Sequence, residues 1–279
     1  MAANASELFR EMRVAILRSA RTRQVSDGAS PQKRETMEAT PGRSFTLNDV
    51  AHNFVDCRPV DQDWAAANVI HFFADTEDGS TLLAVNKRAS EFIKDGKWEG
   101  AYGAIAMPQL RRCVEKLKAY PDTRRAVVSM GGLEHDDANR PACWSYLQFL
   151  SSPMGVDMCV YQRSLNLYGV MPYDCILLCN VLHYVASAVD DVPDKLHWCV
   201  GSLHAVKTDI KEPVDGDRNH GMLFKYSVLN SADECRRILA ERACYGLGED
   251  AVGTPRMAGA QVPGPTSVVA GRRARGRGW

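Results

Sequence analysis

RPACWSYLQFLSSPMGVDMCVYQRSLNLYGVMPYD, residues Arg140 to Asp174, decides how this chain is read. LQFL and MCVYQRS are short apolar runs with aromatic and β-branched members, parted by a Ser-Ser-Pro-Met-Gly turn, which is the pattern of a β-hairpin. A thiol, Cys143, precedes the first run. Arg163 and Ser164, a cation and a hydroxyl, end the second, and Pro172-Tyr173-Asp174 follow. Folded as a hairpin, these groups converge on one small anionic substrate.

Outward from this stretch, PQLRRCVEKLKAY (108–120) opens on a proline and repeats Leu110, Val114 and Leu117, predicting an amphipathic helix. Pro121-Asp122 then predicts a turn, and TRRAVVSM a strand with Arg124 and Arg125 at its mouth. Further upstream, WAAANVIHFF (64–73) is a compact apolar helix, residues 81–94 keep helical spacing, and GKWEGAYG is a glycine-punctuated loop with aromatics. Residues 5–19 put Leu8, Phe9, Met12, Ile16 and Leu17 on one helical face, and the polar stretch 21–41 reads as a mobile arm. Downstream, MPYDCILLCNVLHYVASAV is apolar nearly all round and so central, and KLHWCVGSLHAVKTD is a strand. After about residue 213 the pattern weakens, and the end of the chain, GRRARGRGW included, reads as a disordered tail. The expected organisation is a helix and arm (1–30), a catalytic domain (31–250) and a flexible tail (251–279).

Lysine plus arginine and aspartate plus glutamate both number 34, so net charge is zero and no global field favours nucleic acid or a membrane surface. Nine cysteines without a CxxC pair, several inside apolar runs, indicate free thiols and a reduced, cytoplasmic protein. No apolar run is long enough to span a bilayer, and no cysteine–histidine spacing argues for zinc or another metal. His71, His183 and His197 lie in apolar segments and read as core or surface histidines. His135 with Asp136 and Asp137 reads as a solvated loop, and Lys33-Arg34 and Arg124-Arg125, taken alone, as surface charge.

PDTRR, PACW followed by LQF, YQRS, Pro-Tyr-Asp and WCVGSLH, in this order and spacing, resemble thymidylate synthase over roughly residues 34–210. The resemblance implies an α/β (α+β) fold, a large mixed sheet covered by helices, with the back of the sheet forming the interface of a homodimer. It implies Cys143 as nucleophile and a phosphate site of Arg34, Arg163, Ser164 and, donated by the partner chain, Arg124 and Arg125. Gln162 joins the substrate side. An arginine cluster suits a phosphate dianion because each guanidinium offers forked donors and does not titrate, and such a cation beside Cys143 favours its thiolate.

The pyrimidine edge points to a branch. Where the family carries an asparagine suited to uracil, this chain has Asp174, and a carboxyl group is the better match for the N4 donor of cytosine. That exchange resembles the deoxycytidylate hydroxymethylases. His204 stands where the family holds the 3′-hydroxyl, but the tyrosine two residues on is Val206, which favours CMP over dCMP and resembles the CMP hydroxymethylases of mildiomycin-type nucleoside antibiotic pathways. The implied co-substrate is 5,10-methylenetetrahydrofolate, with Asn166 at the position of the folate-contacting aspartate and Trp98 beside the tyrosine-glycine loop. Asn68 replaces a catalytic glutamate, with Asp75 or Glu77 as candidate substitutes, and Trp144 replaces a histidine. A dCMP hydroxymethylase, a methylating pyrimidine nucleotide synthase and a non-catalytic nucleotide- or RNA-binding homologue are the alternatives.

Overall fold

The structure, a computed structural model, describes residues 1–19, 21–25, 34–39, 42–131, 142–214 and 221–245. The quoted hairpin is its spine. Strand β7 (Trp144–Ser152) turns back antiparallel into β8 (Gly155–Asn166), pairing Trp144 with Gln162 at the open end and Ser152 with Gly155 at the turn. Gly155 is required there: its φ is +150°, and an added Cβ would lie 2.2 Å from the Val192 carbonyl oxygen.

Seven strands form one mixed sheet. With β1 (Arg21–Val25), β2 (Arg34–Ala39), β3 (Arg43–Leu47), β6 (Val127–Ser129) and β9 (Pro193–Val206), the order is β1-β2-β9-β8-β7-β6, and β3 also pairs with β9. Among the described strand pairs only β8 and β9 run parallel, so a crossover must join them. It is α5 (Met171–Ala188), buried along most of its length as its apolar composition predicts. The polar arm over 21–41 is therefore corrected: its described parts are strands, because β2 extends the edge of β9 while Thr36, Glu38 and Ala39 are buried.

The remaining elements cover the core. Helix α1 (Ala5–Ser19) buries Leu8, Phe9, Met12 and Ile16 but leaves Leu17 38% exposed, so the buried stripe is narrower than expected. Helix α2 (Gln62–Phe73) is capped by Asp61, whose side chain accepts from the Trp64 N–H. After α3 (Ser80–Val85) come a 3-10 turn and the short ribbon β4 (Ile93–Lys94) and β5 (Lys97–Trp98), where helical spacing had extended to residue 94. Helix α4 (Tyr102–Ala119) starts before Pro108, which sits inside it. Packing overrides the proline: Gly103 lies so close to α2 that an added Cβ would be 2.0 Å from the Phe72 carbonyl oxygen, with Ala106 and Met107 buried beyond it. Helices α6 (Tyr226–Leu229) and α7 (Ala232–Tyr245) occupy the region where the sequence pattern weakens. They follow a segment pinned by Asn53 and Asn180, both of which donate to the Met222 carbonyl oxygen. The expected tail (251–279) and the loop carrying His135, Asp136 and Asp137 lie outside the described residues. Among the described residues no helix is long and apolar enough to cross a membrane.

One irregularity positions everything that follows. Inward-facing side chains normally recur every second residue, yet β7 steps from Trp144 to Leu147, β8 from Gln162 to Leu165 and β9 from Val200 to Leu203. Trp144 pairs with Gln162, and Gln162 with Val200, so the extra residues form a row across three strands. A bulge re-aims side chains locally. Here it does so where β7 meets the loop that carries Cys143.

Candidate active site

Cys143 occupies the residue before β7 and is half-buried. Arg163, across the hairpin, fixes the loop twice: its backbone N–H donates to the Cys143 carbonyl oxygen at 2.8 Å and its Nε to the Ala142 carbonyl oxygen at 3.1 Å. From the start of α4, the Tyr102 hydroxyl accepts the Cys143 N–H at 3.0 Å, and its ring stands 5.0 Å from that of Trp144. The thiol is thus held from two elements.

Beneath it runs a chain of hydrogen bonds. Trp198 Nε1 donates to Gln162 Oε1 at 3.0 Å, and Gln162 Nε2 donates to Asp174 Oδ2 at 2.9 Å. Trp144 Nε1 donates to the same Oδ2 at 3.3 Å. Trp144, Gln162 and Trp198 are buried and Asp174 half-buried, in the first turn of α5. The helix N-terminus favours a carboxylate there. Burial nevertheless dominates, pushing the Asp174 carboxyl up to about 6, against the opposing effect of the Gln162 and Trp144 donors.

The thiol follows the same logic. Arg163 lowers the pKa of Cys143, as the sequence suggested, and the Tyr102 hydroxyl adds to this. Burial is larger and Asp174 reinforces it, so the thiol is raised overall. Burial also raises the Tyr102 phenol, first among its causes. The free protein therefore holds a thiol whose ionisation would be helped by any event that neutralises Asp174.

This electrostatic state has a stability consequence. A carboxyl that holds its proton more tightly when folded binds more protons in the native state between its unfolded pKa, about 4, and its folded pKa, about 6, so stability falls as pH rises through that window. Relative to Asp174→Asn, the wild-type chain should lose on the order of 1–2 kcal/mol of unfolding free energy between pH 4.5 and 7. Urea titrations of both proteins across that range measure it; a flat difference would contradict the raised carboxyl.

Other expected site residues lie elsewhere in the sheet. Arg34 and Val206 line one groove of about 630 Å³ with Glu35, Lys207, Thr208 and Asp209, and that lining includes neither Cys143 nor Asp174. His204 sits in register between Asn166 on β8 and Glu38 on β2, and burial lowers its pKa. Ser164 pairs with Ser202, whose hydroxyl donates to Glu38 at 2.6 Å, while Arg23 Nε meets the other oxygen of Glu38 at 3.2 Å. Arg124 and Arg125 lead into β6, at the far side of the sheet from Arg34. Four strand spacings, roughly 19 Å, separate β2 from β6.

Asn68 is turned back on its own helix, its amide donating to the Trp64 carbonyl oxygen at 2.7 Å. Neither candidate substitute is idle: Asp75 pairs with Arg111 at 3.0 Å and Glu77 with Lys97 at 2.6 Å. For a folate, Asn166 accepts at Oδ1 from the Tyr168 and Gly169 N–H groups, which leaves its Nδ2 as the end suited to a ligand. Trp98 packs against Trp64 and Phe92 in a cluster separate from the main core.

Sequence reading overlooked Tyr102, Glu38 and Arg23. The AYG string carried a signal for the first, a tyrosine followed by a glycine at a helix start. Glu38 and Arg23 carried none, because a stretch read as a mobile arm predicts no buried carboxylate.

The profile for thymidylate synthase matches residues 63–215, just over half of the 279 residues. The span includes Tyr102, Cys143, Trp144, Gln162, Arg163, Asp174 and Trp198, and Arg34 precedes it. A mixed sheet with the Cys143 loop at its bulge and a match of that extent lead to one conclusion: the chain belongs to the thymidylate synthase family, and so to the folate-dependent one-carbon transferases that modify C5 of pyrimidine nucleotides.

Proposed function

We propose that this chain is a cytidylate 5-hydroxymethylase, which takes a one-carbon unit from 5,10-methylenetetrahydrofolate to C5 of CMP and delivers 5-hydroxymethyl-CMP. The observation that carries the reading is Asp174, a carboxyl held at about 6 beside Cys143 rather than an uncharged amide. At neutral pH such a group accepts from the N4 amino group of cytosine, and in its protonated form it donates to N3. Proton donation to N3 withdraws electrons from C6, where the Cys143 sulfur adds, and C5 becomes nucleophilic. Neutralising the charge near Asp174 also removes one of the effects that hold the thiol protonated. The folate supplies carbon at the oxidation level of formaldehyde. Once that carbon is bonded to C5, the C5 proton is lost and tetrahydrofolate leaves, so that water adds to the exocyclic methylene that remains and Cys143 departs from C6. Among the chain's residues Arg163 and Ser164 hold phosphate, and Gln162 holds Asp174.

The ribose preference rests on Val206 and on Glu38. Val206, one of the residues lining the groove, lacks the phenol of a tyrosine and so leaves volume there. Glu38, 7% exposed, stands in register with His204, so an acceptor lies beside the residue assigned to the 3′-hydroxyl. The same reading makes the working unit a homodimer. Arg34 and the Arg124-Arg125 pair lie too far apart for one phosphate within one chain, and on the face of the sheet away from the core Tyr146 and Tyr161 stack at 6.4 Å while 42% and 40% exposed.

Incubating CMP, dCMP and dUMP separately with the protein and methylenetetrahydrofolate, followed by mass analysis, tests the assignment. A hydroxymethyl product on CMP above dCMP is expected. Dihydrofolate formation would instead indicate the methylating alternative. Val206→Tyr should move the CMP to dCMP ratio of kcat/KM roughly tenfold towards dCMP, the size of one hydrogen bond gained at the sugar. An unmoved ratio would withdraw the ribose argument.

A further inference from the structure

Among the described residues, both side-chain donors that reach Asp174 converge on one of its two oxygens. Gln162 Nε2 and Trp144 Nε1 share Oδ2, at 2.9 and 3.3 Å. A carboxylate oxygen has two in-plane lone pairs, so two donors saturate it. Any proton on the group, and any contact with a base, is thereby directed to Oδ1. Trp144 can do this because the bulge turns it inward at the first residue of β7, where its indole is 1% exposed and its ring rests against Tyr102 and Phe72. Gln162 is oriented in turn by Trp198, which donates to its Oε1 and so commits its amide NH2 towards Asp174 and the Ser164 carbonyl.

We infer that Trp144 is a positioning residue for base selection. With Gln162 it locks Asp174 so that Oδ1 alone meets the pyrimidine, as an acceptor for N4–H or a donor to N3, and this geometry selects cytosine over uracil. The inference rests on the proposed cytidylate substrate. Uracil presents O4 as an acceptor and N3–H as a donor, so a single oxygen that is protonated for N3 of cytosine faces the wrong atom. Among the described residues, the charged and titratable groups around Asp174 are Cys143 from the loop before β7, Tyr102 from α4 and, acting on Cys143, Arg163 from β8. None of them supplies the donors at Oδ2. Trp144 is therefore separable from them by mutation.

The first test needs no turnover. In the whole chain labelled with nitrogen-15 tryptophan, the Trp144 indole N–H signal should titrate with the Asp174 midpoint, near pH 6, and lose that titration in Asp174→Asn. An indole signal indifferent to pH, or one that still titrates in Asp174→Asn, overturns the proposal. This readout also separates failure of the inference from failure of the functional assignment, because it holds whichever nucleotide is bound.

The second test is Trp144→Phe, which keeps most of the ring volume and removes the N–H. On CMP, kcat should fall about tenfold with KM nearly unchanged, and the preference for CMP over UMP should narrow by a similar factor. Losing a donor to the carboxylate raises its pKa, so the limb of the pH profile that reports Asp174 should move up by roughly one unit. In an Asp174→Asn background the same substitution should cost nothing further on CMP, whereas a purely structural tryptophan would cost the same in both backgrounds. Equal costs, or an unmoved Asp174 limb in folded Trp144→Phe, refute the role.

Discussion

Cys143→Ala is expected to lower turnover of cytidylate by on the order of 10⁴-fold or more, with nucleotide binding and the fold preserved. The expectation follows from how the thiol is held. Its backbone N–H and carbonyl oxygen make the contacts with Tyr102 and Arg163, and these survive removal of the sulfur. The half-buried side chain contributes little packing, so a change in melting temperature of only a few degrees should accompany the loss. In the proposed mechanism what disappears is the atom that adds to C6. Without it C5 would not become nucleophilic, and the arginines proposed to bind phosphate could not substitute for a covalent bond. Release of tritium from C5-tritiated CMP measures the first chemical steps, calorimetry measures CMP binding, and mass spectrometry of the denatured protein detects the adduct. Retention of tritium release within tenfold of wild type would exclude a covalent mechanism through this residue. Intact biological activity in Cys143→Ala would favour the reading of a binding protein that kept only the fold.

Much of the architecture follows from local pattern because the relevant signals are short in range. The Ser-Ser-Pro-Met-Gly turn between two apolar runs is a hairpin whatever surrounds it, and the apolar run from Met171 can only be a central helix. Helix starts and strand edges that depend on distant partners were less legible. Pro108 marks a helix start by rule, yet Gly103 and Ala106 against α2 draw the helix back to Tyr102. Residues 34–39 are polar enough to suggest an arm, and only their register on β9 makes them a strand with a buried Glu38.

The site divides along the same line. Cys143, Arg163 and Asp174 are visible as residue types in one stretch, but the convergence of Trp144 and Gln162 on a single oxygen depends on a bulge row shared by three strands. No periodicity announces such a row, since the extra residue is defined only by its neighbours. The thiol illustrates the limit in energetic terms. A cation beside a cysteine suggests a lowered pKa, and Arg163 acts in that direction, but the burial that outweighs it is a property of the assembled fold.

Asp174→Asn should reverse base preference, lowering kcat/KM for CMP while raising it for UMP, so that their ratio moves by about 10³. The donors already at Oδ2 determine how the new amide sits. Trp144 Nε1 and Gln162 Nε2 both require an acceptor there, so the asparagine oxygen takes that place and its NH2 turns to the base. An NH2 donates to O4 of uracil but opposes the N4 amino hydrogens of cytosine, and a donor facing a donor in a desolvated site costs more than a missing contact. The same change removes a proton that titrates near 6, so the limb that reports Asp174 should vanish from the pH profile. It also removes the carboxylate that raises the Cys143 thiol, whose pKa should fall; thiol alkylation rate against pH measures that shift independently of turnover. Competition between CMP and UMP at pH 7, with products identified by mass, reads the preference directly. A variant that still favours CMP would mean that Asp174 does not meet the base. A variant inert towards both nucleotides, but with a lowered thiol pKa, would place Asp174 in proton transfer rather than in recognition.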